Sequence, residues 1–82
     1  MVVRTIKTNL REAEEILRYK RHIFRSDKFE IKAGDIIQFL VMKQAKPVLH
    51  SIDAKSYIVT SVDDYLTAPI IKGARLIGIK EV

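Results

Sequence analysis

Arg18, Tyr19, Lys20, Arg21, His22 and Arg25 stand close together in the chain, with the apolar residues Ile23 and Phe24 set among them. A guanidinium matches a phosphate with two parallel N–H donors, an ammonium supplies a compact charge, and an aromatic ring offers a face on which a base can stack. The β-prone Ile23 and Phe24 give this basic segment a reason to fold, so its charges are held in place. An anionic ligand, and a phosphate backbone above all, suits fixed cations beside a ring. Arg25 leads the candidates, either as a bidentate phosphate contact or as one half of a structural ion pair with Asp35 or Asp27. Lys20 is a point-charge contact or a solvated side chain. Arg18 belongs to the same basic segment, while Arg21, Lys28 and Lys32 either add to the basic field or, as the simpler reading, are ordinary solvated charge. Tyr19 either stacks on a base or seals the end of a helix as a half-buried ring.

Other chemistries find little here. The chain has no cysteine, which removes disulfides and thiolate metal sites and fits a reducing compartment. His22 and His50 have no metal-ligand spacing, and neither a metal nor a cofactor is expected. No Gly-rich phosphate loop, HExxH pattern or Ser-His-Asp order is present. Asp63-Asp64 forms a possible acid pair, although a solvated turn is the simpler reading. No apolar run approaches the roughly 20 residues that span a bilayer, and the N-terminus lacks a signal-peptide pattern. The expectation is a cytoplasmic protein without a membrane partner. The net charge of +5 favours an anionic partner.

At 82 residues the chain is read as a single domain, 1–82. Val2, Val3, Thr5 and Ile6 start a strand. Thr8 or Asn9 offers an N-cap, Asn9 with Glu12 three residues later resembles a capping box, and Leu10, Ala13, Ile16 and Leu17 recur at helical spacing, which predicts one helix over 9–18. Residues 20–25 read as a second strand. An ideal strand would send Lys20 and Arg25 to opposite faces, so their joint action requires Lys20 in the preceding turn or a bulge between them. Ala33-Gly34-Asp35 reads as a turn in which Gly34 takes a positive φ and Asp35 holds the backbone. Residues 36–42 read as a strand buried on both faces, 43–53 as a loop or frayed hairpin, and 55–62 and 74–82 as further strands. In the loop 63–73, Tyr65, Leu66, Ile70 and Ile71 are expected to tuck inward, and Phe24 and Phe39 are assigned to the core. The fold class is α+β, mostly β: a small β-barrel or strongly curved sheet of five to six strands, plugged by one N-terminal helix.

Three places in the chain resemble the ASCH domain of the PUA-like superfamily, named for homology to activating signal cointegrator. Lys20 and Arg25 match the Lys and Arg of the family's Gly-x-Lys-x-x-x-x-Arg loop, with Arg18 where the Gly would be. Ala33-Gly34-Asp35 matches its x-Gly-Asp turn before an apolar strand, and Ala74-Arg75-Leu76-Ile77-Gly78-Ile79 is similar to its closing strand. The chain looks most like the compact bacterial single-domain members. The resemblance implies a barrel with a basic cleft beside the first helix that binds RNA or a nucleotide, with Lys20, Arg25, Arg21, Tyr19 and Arg18 as the residues around it. A few small members resemble amidohydrolases acting on N4-acetylcytidine. These would use Lys20, a Thr at the position of Ile23 and a Glu from a later insertion, so Ile23 leaves Lys20 as a weak catalytic candidate. A protein-interaction role, coactivator-like, is the third expectation.

Overall fold

The computed structural model describes residues 2–66 and 69–82. Six strands, one α-helix and a short 3-10 turn follow in the order β1 (Val3–Thr8), α1 (Leu10–Arg18), β2 (His22–Ser26), β3 (Ile36–Lys43), β4 (Lys46–Pro47), the 3-10 turn (Ser51–Ala54), β5 (Tyr57–Asp63) and β6 (Ala74–Glu81). The fold is thus α+β and mostly β. The main sheet runs β1-β3-β5-β6-β2, with β4 paired to β3. β1 lies parallel to β3, with Ile6 opposite Phe39 and Thr8 opposite Val41, and the other pairings are antiparallel. The outermost strands, β1 and β2, are not paired with each other among the described residues, so the sheet is not closed into a barrel. No helix among the described residues is long and apolar enough to cross a membrane.

Period-two alternation decides which face is inside. Ile6 of β1, Ile37, Phe39 and Val41 of β3, Tyr57 and Val59 of β5, Ile77 and Ile79 of β6 and Ile23 of β2 form one buried layer. Ala13 and Ile16 of α1, together with Ile31 and Ile52, cover it. Phe39 and Tyr57 meet edge to face, with centroids 5.4 Å apart. The Asn9 side chain caps α1 by accepting the Glu12 backbone N–H at 2.7 Å.

Several expectations need correcting. Phe24 is exposed, not core, because β2 buries only one of its two adjacent apolar side chains and Ile23 takes that place opposite Ile77. β3 is fully buried on one face alone, since Gln38 on the other face meets solvent and Leu40 and Met42 are half-buried. Tyr65, Leu66 and Ile71 are exposed and not tucked inward, and Ile70 is only partly covered. Thr67 and Ala68 of that loop lie outside the described residues. The segment 43–53, by contrast, is a short hairpin, one of the two forms expected for it, with Gln44 and Ala45 at positive φ in the turn and the 3-10 turn after it.

The Ala33–Asp35 turn behaves as its residue types predict. Gly34 has φ +95° and its N–H donates to Val59 O at 2.8 Å. Asp35 Oδ2 accepts from the Lys32 backbone N–H at 3.0 Å and from Arg4 Nε at 3.3 Å. The Lys32 N–H holds the Asp35 carboxyl below the usual aspartate range; burial opposes this, and Arg4 assists. Nothing lies within 4 Å of a Cβ built on Gly34, so only its backbone geometry resists substitution. Gly34→Ala is therefore expected to cost about 1 kcal/mol in urea unfolding. An unchanged midpoint would show that the turn relaxes freely.

Candidate functional site

The parallel register places the two predicted motif pieces apart. Asp35 adjoins the Val3–Ile36 end of the β1–β3 pair, whereas Thr8 and Val41 close the other end, about 16 Å away at strand rise. The Gly34–Asp35 turn therefore serves the scaffold, and the basic segment forms its own site.

Arg25 shares the inner face of β2 with Ile23, but it stands at the rim. From there its guanidinium reaches across the open side of the sheet. Nη2 donates to Glu12 Oε1 at 2.7 Å and to the Lys7 carbonyl at 3.1 Å, while Nη1 donates to the Phe24 carbonyl at 2.6 Å. One side chain thus ties β2 to β1 and to α1. Its ion-pair partner is Glu12, neither Asp35 nor Asp27. Lys20 lies in the turn before β2, which removes the parity problem, and its Nζ sits 3.4 Å from Glu12 Oε2 and 3.8 Å from Glu15 Oε1. The Thr8 hydroxyl, at the end of β1, donates to Glu12 Oε1 at 2.6 Å. Lys20 and Arg25 thus converge, with Thr8, on one carboxylate.

Burial pushes the Glu12 carboxyl up. Hydrogen bonds from Arg25 and Thr8, with the charges of Arg25 and Lys20, outweigh that effect and hold it below the usual glutamate range. Beside this cluster is an open recess of about 390 Å³ lined by Lys7, Thr8, Asn9, Glu12, Arg25 and Met42. Lys20 is not part of the lining and braces Glu12 through its other oxygen.

The remaining predicted residues lie elsewhere. Arg21 Nη1 donates to the Ile16 and Lys20 carbonyls, both at 2.9 Å, and so closes the end of α1. Arg18 and Tyr19 border a second depression along α1 with Leu10, Arg11, Glu14 and Glu15. Tyr19 is 66 % exposed, not a half-buried seal, and its hydroxyl meets Glu15 Oε2 at 3.2 Å. His50 Nε2 pairs with Glu14 Oε1 at 2.8 Å. The Asp64 carboxylate accepts the Leu66 N–H at 2.9 Å, the geometry of a local turn. No cluster of three or more His, Cys, Asp or Glu suited to a metal ion occurs among the described residues.

Sequence reasoning missed Thr8 and Glu12 as site residues. Glu12 carried a visible signal, the capping-box spacing from Asn9, but that signal points to the helix end and not to Arg25. The Thr8–Glu12 spacing of four residues crosses a strand–helix junction, where helical side-chain rules do not apply. Chemically, the cluster is an anion held by one hydroxyl and two cations, next to open space that an outside anion can enter. Among known proteins, no family model and no curated protein matches this chain.

Proposed function

We propose that the chain is a PUA-like module of the ASCH type that binds RNA or a nucleotide in the recess between α1 and the sheet, without catalysis of its own. Arg25 is the principal phosphate contact, Lys20 is the second cation, and Lys7 adds to the field at the recess. The observation that carries this reading is the convergence of Arg25 and Lys20 on one carboxylate of α1, Glu12, beside an accessible recess. The chain's net charge of +5 supports an anionic partner, and its lack of cysteine suits the cytoplasm.

The test is fluorescence anisotropy of labelled single-stranded and structured RNA across a salt titration. Binding should weaken as salt rises, and Arg25→Ala should weaken it further, by about tenfold, with a shallower salt slope. Equal affinities for Arg25→Ala and the parent at every salt concentration would remove Arg25 from the site.

A second reading has one observation in its favour: the Thr8 hydroxyl and the Lys20 ammonium each contact the Glu12 carboxylate, which gathers the group types an amidohydrolase would need. Against it, a carboxylate held below its usual range is a weak general base. Incubation with N4-acetylcytidine, followed by mass spectrometry, separates the two readings, because turnover above buffer by folded protein would favour the enzyme.

A further inference from the structure

Glu12 occupies the place that an incoming anion would need. Its Oε1 accepts from Thr8 Oγ1 at 2.6 Å and from Arg25 Nη2 at 2.7 Å, and its Oε2 faces Lys20 Nζ at 3.4 Å. A phosphodiester offers the same features as this carboxylate: one negative charge shared between two unesterified oxygens, both acceptors.

A second observation shows where the carboxylate can go. Asn9 is the N-cap of α1, and its Oδ1 accepts the Glu12 N–H, which is one half of a capping box. In the complete box the Glu carboxylate returns to the N-cap backbone N–H. Here it is turned to Arg25, Thr8 and Lys20 instead. The β1–β3 register ends at Thr8 and Val41, so the Asn9 N–H lies beyond the ladder. The same chain completes such a box at His50, whose backbone N–H donates to Asp53 Oδ2 at 3.0 Å. Asn9 thus offers the displaced carboxylate a second resting place at the positive end of the helix.

We propose that Glu12 is a built-in counterion, which fills the anion site in the free protein and moves to the Asn9 backbone N–H when a phosphodiester takes its place on Arg25, Thr8 and Lys20. This rests on the reading of the cleft as an anion site. The ligand must displace Glu12 while Glu12 is charged and meets less competition once it is protonated, so affinity rises on acidification. The groups facing Glu12 are Arg25 from β2, Lys20 from the α1–β2 turn, Lys7 of β1 at the recess and Glu15 one turn along α1. β3 contributes Met42, which does not titrate. Glu15 is a second carboxylate on Lys20, and Glu12→Gln separates its effect from that of Glu12.

The probe is a short fluorescein-labelled oligouridylate, whose phosphodiesters stay singly charged through the acid range. Glu12→Gln keeps the side chain's length and its acceptor for Asn9, and it should bind about tenfold more tightly than the parent at neutral pH. The parent should tighten as pH falls through the carboxylate range, and Glu12→Gln should lose most of that dependence. In the parent, saturation with the probe should shift the Asn9 amide resonance and slow its hydrogen exchange. If the parent binds in an Arg25-dependent way and Glu12→Gln binds no better, the counterion role is overturned and the cleft reading stands. If neither protein binds, both fall. Should Glu12→Gln fail to fold, the parent decides alone, because an Asn9 amide unmoved at saturation overturns the proposal.

Discussion

Arg25→Ala should lower folding stability by about 2–3 kcal/mol at neutral pH, measured by urea unfolding. Breaking a fully buried ion pair costs about 3–5 kcal/mol, because the remaining charge is left without a partner. Here the Arg25 and Glu12 side chains are 20 % and 16 % exposed, so water screens part of the loss. The variant also forfeits the hydrogen bond to the Lys7 carbonyl, a direct link among the described residues between β2 and β1, the unpaired margins of the sheet. The effect carries a pH signature. The folded-state pKa of Glu12 lies below its ordinary value of 4.5, so its stabilising contribution is present above that value and lost as pH falls through the folded pKa. Arg25 is a main cause of that depression. The stability gap between parent and Arg25→Ala should therefore narrow on acidification below about pH 4.5. A gap that stays constant with pH would mean that Arg25 acts through packing and the Lys7 carbonyl, and not through the Glu12 charge.

The same contacts explain which parts of the site were legible in the sequence. Local rules reached α1, because Leu10, Ala13, Ile16 and Leu17 mark one face and Asn9 marks the start. They also reached the Gly34–Asp35 turn, whose residue types mark it and whose Asp35 closes it locally on Lys32, although Val59 and Arg4 hold it from far along the chain. For Lys20 they left two answers, a place in the preceding turn or a bulge in a strand over 20–25, and the start of β2 at His22 selects the first. Glu12 is different. Its decisive partner is 13 residues away in the chain, and its position in the first turn of a helix already had a sufficient local explanation in the capping-box spacing from Asn9. Phe24 shows a related limit: Ile23 and Phe24 are adjacent and both apolar, and a strand at the margin of a sheet buries only one of the two. The register against β6, with Ile23 facing Ile77, makes that choice, and no local pattern encodes it. The open gap between β1 and β2 is likewise a product of strand order, and it is what places Arg25 between two strands and a helix.

That parity choice leads to the second large effect, at Ile23. Under the amidohydrolase reading of the basic loop, Thr would stand there. In this chain Ile23 is fully buried in the core, two residues deeper along β2 than Arg25, and is not part of the recess lining. Ile23→Thr removes methyl and methylene bulk from a closed core and adds a hydroxyl that needs a partner. Shortening a buried branched chain costs about 1 kcal/mol, and burying an unpaired hydroxyl adds about 1–3 kcal/mol, so the expected loss is about 2–4 kcal/mol in urea unfolding. The variant should also show no hydrolysis of N4-acetylcytidine by mass spectrometry, because the new hydroxyl faces packed side chains and the residue with a hydroxyl that borders the recess is Thr8. Turnover by Ile23→Thr and not by the parent would reverse this argument: position 23 would then open to the cleft, and the chain would be an amidohydrolase scaffold that lacks only its nucleophile. Loss of stability without turnover would instead leave Arg25, Thr8 and Lys20 as a binding cradle whose chemistry ends at holding an anion.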